Sequence, residues 1–199
     1  MPDIYMRQQE LNLRLPARVA VCGLGGIGSW VALDLALVGV PELILIDPDA
    51  VEPHNLNRTP YTPAQVGALK VRAAAELIAE RRPGCALVLF PYMYHEIADL
   101  LPPEIEYFVD CTDALAVKRL AAGRGWRYLK LGYDGFGFTF DMQTGLPWEE
   151  EPAGYRVVPS FVGTPQFLAA LAVTAVVSGA QGPPLACGDV REVLCRAAC

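Results

Sequence analysis

Apolar residues in this chain gather in short unbroken runs, Arg18–Cys22, Leu43–Ile46, Ala86–Phe90 and Tyr107–Cys111, with stretches of helical periodicity between them. Continuous rather than alternating runs are expected of strands covered on both faces, the situation in a parallel sheet. The intervening stretches carry helix punctuation. One helix is predicted from Ile27 to Val38, opening at a glycine turn and stopping at Gly39. A second is predicted from Pro63 to Arg81, with Thr62 as cap, Pro63 in the first turn and Pro83-Gly84 as the stop. Such alternation predicts an α/β, Rossmann-like, doubly wound and mainly parallel sheet with helices on both faces.

After Asp113 a helix to about Arg124 leads into "WRYLKLGYDGFGFTFD", which reads as two additional strands turning near Asp134-Gly135. Thr144 to Tyr155, rich in Pro, Gly and Glu, is expected to be an exposed loop crossing over the ligand end of the sheet. Phe161 to Ala180 has no charged residue. Thr164 and Pro165 mark its helix start, leaving about fifteen helical residues before Gly179, or about 22 Å against the roughly 30 Å of a bilayer core. It is therefore expected to be a buried C-terminal helix, packed between the sheet and another helix. The whole reads as one domain over 1–199: an N-terminal arm over 1–16, a core over 17–180 and a flexible tail over 181–199.

Composition narrows the classes of partner. With 199 residues, 53% of them hydrophobic, the chain can bury one substantial core. A net charge of -6 argues against a nucleic-acid footprint, which needs clustered Lys and Arg. "MPDIYMRQQELNLRLP" lacks the apolar core of a signal peptide, so a cytoplasmic location away from the membrane is expected. Cys22 and Cys111 lie inside apolar runs and read as structural thiols. Cys187, Cys195 and Cys199 do not form a Cys-x-x-Cys pair, so no zinc is expected.

Candidate chemistry centres on Gly23-Leu24-Gly25-Gly26-Ile27-Gly28, a Gly-x-Gly-x-x-Gly turn directly after a predicted strand and at the start of a helix. Backbone N–H groups there can face phosphate oxygens. Asp47 closes the second apolar run, where a carboxylate can accept from ribose hydroxyls. Glycines serving only the turn and helix packing are the alternative. Beyond Asp47 the chain departs from a dehydrogenase: Asn55, Asn57, Arg58 and Lys70 concentrate donors and positive charge suited to a triphosphate. In "VDCTDA", Asp110 and Asp113 end the fourth run, and a carboxylate there either holds Mg²⁺ against phosphate or caps the next helix. Arg58 and Lys70 have a plain alternative as solvated charges. His54 and His95 receive no role.

Taken together, the glycine turn, "IDPDAVEPHNLNR", "VGALK" and "DCTDA", in this order and spacing, resemble the ThiF/MoeB/HesA family, bacterial relatives of ubiquitin-activating E1 enzymes, from about Tyr5 to Gly179. "YMRQQ" is similar to the family's entry segment, with Arg7 at its second arginine. The resemblance implies ATP·Mg²⁺ binding and adenylation of the C-terminal carboxylate of a small ubiquitin-like or sulfur-carrier protein ending in Gly-Gly. It implies Gly25 and Gly28 at the phosphates, Asp47 at the ribose, Arg58 and Lys70 at the phosphates, and Asp113 at the magnesium. It further implies a homodimer in which Arg7 reaches the neighbouring subunit's ATP.

The chemistry agrees with that inventory. A carboxylate is already ionised at pH 7, so attack on an α-phosphate needs charge neutralisation and alignment more than a general base. Departures from the family pattern are Thr59, Ala114 and the absence of a cysteine in "PWEEEPAGYRVVPSF", where relatives with a thiol relay place one. Two competing readings stand beside adenylation: an NAD-dependent oxidoreductase, and a non-catalytic subunit that docks a ubiquitin-like partner.

Overall fold

The computed structural model describes residues 4–142, 159–180 and 185–196. The expected loop from Thr144 to Tyr155 and the thiol of Cys199 lie outside these residues. Four parallel strands, β1 (Arg18–Cys22), β2 (Glu42–Ile46), β3 (Ala86–Phe90) and β4 (Tyr107–Asp110), coincide with the four apolar runs to within a residue at either end. β5 (Arg127–Asp134) joins β4 in parallel, and β6 (Gly137–Asp141) and β7 (Leu185–Asp189) continue the sheet antiparallel. The order is β3-β2-β1-β4-β5-β6-β7.

The runs are unbroken because both faces are covered. Val19, Val21, Leu43, Leu45, Tyr107 and Val109 face one core layer, packed with residues of α1 (Gly28–Val38), α2 (Lys70–Arg81) and α5 (Gly163–Ser178). Ala20, Cys22, Ile44, Ile46 and Phe108 face the other, against α3 (Tyr94–Ile97) and α4 (Leu115–Ala121). α5 packs on α1 and on β5 and β6. Its expected burial holds along one face through Leu168, Ala169, Ala172 and Val176, while Ala170, Leu171 and Thr174 are exposed. Among the described residues no helix is long and apolar enough to cross a membrane.

Three boundaries differ from expectation. The helix predicted over Pro63–Arg81 is two elements: Thr62 and Gln65 cap a single 3₁₀ turn at Pro63–Gln65, and α2 starts at Lys70. Gly67, at φ +89°, breaks the helical path between them. Ala50 bridges to Leu69 here, so tertiary pairing claims the backbone that a longer helix needs. α4 stops at Ala121 rather than near Arg124, where Gly123 takes φ +82°. The tail expected to be flexible supplies β7, paired with β6, and α6 (Val190–Arg196). An available sheet edge gives that apolar segment hydrogen bonds it lacks alone.

The N-terminal arm folds back onto its own chain. A 3₁₀ helix at Met6–Leu11 lies over the C-terminal ends of α1 and α5: Gln8 Nε2 donates to Val38 O at 2.7 Å, and Arg14 N donates to Val177 O at 2.6 Å. Arg82, just past α2, sits over the Tyr5 ring and donates to its hydroxyl.

Candidate functional site

The carboxyl ends of β1, β2 and β4 open into a cavity of about 680 Å³, within the range of small-ligand sites. The glycine turn forms its floor, and its glycines divide by task. A Cβ on Gly28 falls 1.8 Å from the Gly23 carbonyl oxygen; one on Gly23, already at φ +84°, falls 3.0 Å from the backbone of Cys111. Both glycines are required by the chain's own packing, and neither lines the cavity. Gly25 and Gly26 do line it. A Cβ on Gly26 meets the Tyr133 hydroxyl at 2.7 Å, but one on Gly25 meets nothing within 4 Å, and its φ needs no glycine. Among the described residues, the space beside Gly25 is open.

Asp47, expected at a ribose, is not among the residues that line that space. It is 4% exposed and spends its oxygens on the backbone: Oδ2 accepts from Leu24 N at 2.6 Å and Oδ1 from Asp49 N at 2.8 Å. Burial pushes its carboxyl above the ordinary value, against the pull of the Lys70 charge and the two amide donors. Asp47 therefore ties the glycine turn to β2, and the carboxylate beside it that lines the cavity is Asp49. Sequence reasoning missed Asp49 because it stopped at the acid nearest the strand end. The signal was there in "DPD": an Asp that accepts from the amide two residues on turns the chain and hands the open position to the next acid.

Lys70, first residue of α2, lines the cavity with 9% of its surface exposed. Its Nζ lies 2.7 Å from Asp49 Oδ2 and 3.7 Å from Asp47 Oδ1. Arg58 also lines the cavity. Its Nη1 donates to the His54 carbonyl and, at 3.1 Å, to Asn57 Oδ1, and among the described residues it makes no ion pair with a carboxylate. Trp30 Nε1 donates to Arg58 O at 2.9 Å, fixing that backbone against α1. Asn55 is buried, with Oδ1 accepting from Glu52 N at 3.0 Å; Asn57 Nδ2 donates to Ser160 O at 3.3 Å. Both line the cavity, yet their side chains shape the loop that carries Arg58.

The fourth strand end repeats this division. Asp110 is fully buried and bonded within the protein, whereas Asp113 is exposed and lines the cavity. The N-cap of α4 is Ala114 and makes no side-chain cap, so the capping role open to Asp113 is not taken up. Among the described residues no three His, Cys, Asp or Glu side chains converge to hold a metal. One exposed carboxylate nevertheless fits Mg²⁺, which keeps several waters and is commonly held by one or two carboxylates plus substrate phosphates. Tyr133 and Ser160, unassigned from sequence, close the remaining wall, their hydroxyls 2.6 Å apart. Arg7 is exposed and stands at the far end of α1, about 16 Å from the glycine turn at 1.5 Å per residue.

Open glycine floor, Arg58, Lys70 and the exposed carboxylates of Asp49, Glu52 and Asp113 meet at one cavity, and the ThiF family model matches the chain over residues 5–180. The chain belongs to the ThiF family. It is 43% identical over 88 residues to the ubiquitin-like modifier-activating enzyme 5 of Arabidopsis thaliana, covering 44% of this chain and 19% of that protein. It is 33% identical over 120 residues to the tRNA threonylcarbamoyladenosine dehydratase of Haemophilus influenzae, covering 59% of this chain and 44% of that one. The ThiF chain thus spans less than half the length of these curated relatives. Among solved structures, E. coli MccB with ATP superposes with TM-score 0.66 at 22% identity, over 80% of this chain and 54% of MccB, a likeness of fold.

Proposed function

We propose that this chain binds ATP·Mg²⁺ in the cavity and adenylates the C-terminal carboxylate of a small ubiquitin-like or sulfur-carrier protein ending in Gly-Gly, releasing pyrophosphate. The observation that carries the reading is Arg58, a guanidinium without a carboxylate partner among the described residues, lining the same cavity as Lys70 and the open Gly25. Two cations around space that the fold leaves empty suit a polyphosphate. Membership of the ThiF family supports the same reading, since its relatives include named modifier-activating enzymes and adenylyltransferases.

In this mechanism the N–H groups around Gly25 and Gly26 and the start of α1 receive phosphate oxygens, and Arg58 and Lys70 neutralise their charge. Asp49 accepts from the ribose hydroxyls. Asp113 would hold Mg²⁺, which when bound would supply charge neutralisation. A carrier carboxylate oxygen bonds to the α-phosphorus, the bond from that phosphorus to the bridging oxygen breaks, and pyrophosphate leaves with the electron pair. No proton moves, which fits a cavity whose only histidine, His54, rests against Glu52 at 3.0 Å.

Thermal unfolding with ATP·Mg²⁺, NAD⁺ and NADH tests the nucleotide. Stabilisation by ATP·Mg²⁺ is expected; stabilisation by a nicotinamide nucleotide alone overturns the reading in favour of an oxidoreductase. ATP–pyrophosphate exchange with Gly-Gly-ended carrier proteins then tests the chemistry, and binding without exchange marks a docking subunit.

Arg7 belongs to the same proposal as a finger supplied in trans within a homodimer, because its own α1 separates it from its own cavity. Arg7→Ala and Asp113→Ala proteins are each expected to exchange poorly, and their mixture to recover about a quarter of sites after subunit exchange. No recovery beyond the sum of the parents, with exchange demonstrated, removes Arg7 from the site.

A further inference from the structure

Behind the cavity wall lies a row of four buried charges that the mechanism above does not use. Asp110 on β4 stands opposite Lys130 on β5, and Lys130 stands opposite Asp141 on β6. Lys118 of α4 closes the row. Lys130 Nζ is 3.0 Å from Asp110 Oδ1 and Lys118 Nζ is 2.9 Å from Asp141 Oδ2; none of the four side chains is more than 6% exposed. Taking charges out of water is costly, and well-packed apolar residues commonly serve stability as well or better. Stability alone is a poor reason for this row.

Its hydrogen bonds show where it acts. Asp110 Oδ1 accepts from Thr112 N at 2.9 Å and from Thr112 Oγ1 at 2.7 Å, and Oδ2 accepts from the Tyr128 hydroxyl at 2.5 Å. Lys130 Nζ donates to the Thr112 carbonyl. Thr112 is therefore held at its N–H, its hydroxyl and its carbonyl by one ion pair. On the other side of the turn, Lys118 fastens α4 to β6 through Asp141. Asp113 and Ala114, both exposed, are the two residues between Thr112 and the first residue of α4.

We infer that Lys130, through its pair with Asp110, is a positioning residue: it fixes the Thr112 peptide so that the Asp113 carboxylate is presented to a metal–nucleotide complex in one orientation. The inference rests on the nucleotide reading above. A loose turn has to be ordered each time the complex binds, at a cost to affinity; a clamped turn is ordered beforehand. Lys130 itself lines no part of the cavity, so it acts through Thr112 and Asp113 rather than on a ligand.

The test uses the full chain, with ATP and MgCl₂ as probes and thermal unfolding as the readout. Each protein is measured with ATP in EDTA, and with ATP across a MgCl₂ titration. For Lys130→Met, stabilisation by ATP in EDTA is expected to persist while the Mg²⁺ midpoint rises about 10- to 100-fold, the usual effect of losing the partner that orients a metal ligand. Because the single variant leaves Asp110 buried and unpaired, Asp110→Asn/Lys130→Met is measured beside it. The double variant is expected to melt above the single one and to show the same displaced midpoint. A wild-type Mg²⁺ midpoint in either folded variant overturns the positioning role, and failure of both to fold assigns Lys130 to stability and overturns it too. Wild-type protein that ATP does not stabilise at any Mg²⁺ concentration overturns the nucleotide reading instead, and the inference falls with it.

Discussion

The ends of β2 and β4 solve one local problem twice, with different lysines. At each end a buried aspartate, Asp47 or Asp110, accepts from the amide two residues on, at 2.8 Å and 2.9 Å, and turns the chain. At each end a second acid, Asp49 or Asp113, then lines the cavity. The lysines differ. Lys70 bridges the buried and the open acid and itself lines the cavity, whereas Lys130 is 3% exposed and spends its donors on Asp110 and Thr112. A charge near a strand end is thus either available to a ligand or consumed in holding the backbone, and its neighbours decide which.

The sharpest break in that comparison comes from exchanging each acid of the β4 pair for its amide. Asp113→Asn is expected to lower magnesium-dependent turnover about 10²- to 10³-fold, in the range of removing one group that stabilises transition-state charge, with Tm within about a degree of wild type. Asp110→Asn removes the carboxylate 3.0 Å from the buried Lys130 ammonium and is expected to cost about 3 kcal/mol, or about 6–12 °C in Tm for a chain of this size. Denaturant melts and exchange assays on both proteins check this. Equal losses of stability would mean that the two acids share one structural task.

A smaller contrast is expected at β2. Asp49→Asn is expected to raise the apparent KM for ATP about tenfold, as for one charged hydrogen bond, and to leave stability unchanged. Asp47→Asn places an amide donor against a backbone N–H and is expected to cost about 1–3 kcal/mol, because the turn between β1 and α1 loses one of its two ties to β2. If Asp47→Asn instead raises KM with no change in Tm, then Asp47 is the ribose ligand and the comparison fails.

The smallest effect concerns thiols. Burial, joined by the Asp110 charge, pushes the Cys22 and Cys111 thiols well above the ordinary range, whereas Cys187 and Cys195 are exposed. Native protein treated with iodoacetamide at mildly alkaline pH is expected to be alkylated at Cys187 and Cys195 and spared at Cys22 and Cys111 until unfolded. Ready alkylation of Cys111 in the folded protein would mean that the β4 end opens far more than its clamped turn implies.

Much of this architecture is legible in the residues alone. Apolar runs bounded by Gly and Pro locate β1 to β4, and "YDG" locates the hairpin between β5 and β6. Those signals are local: a strand buried on both faces has to be apolar throughout, and a tight turn needs glycine or a polar residue wherever it occurs. Arg58, Lys70 and Asp113 were likewise visible as charges following the second and fourth apolar runs, and all three line the cavity.

Tertiary structure decided what proximity in sequence cannot carry. Whether Thr62 and Gln65 begin a long helix or cap one turn depended on Ala50 bridging to Leu69. Which of two acids faces the cavity depended on Leu24 offering its N–H to Asp47, and on Lys130 and Tyr128 reaching Asp110 from β5. The 185–189 segment became a strand because β6 left it an edge to pair with. In each case the local sequence left more than one conformation open to the segment. The balance was tipped by a group distant in the chain that burial brought within hydrogen-bond reach, where an unmatched polar group is expensive and a matched one fixes the fold.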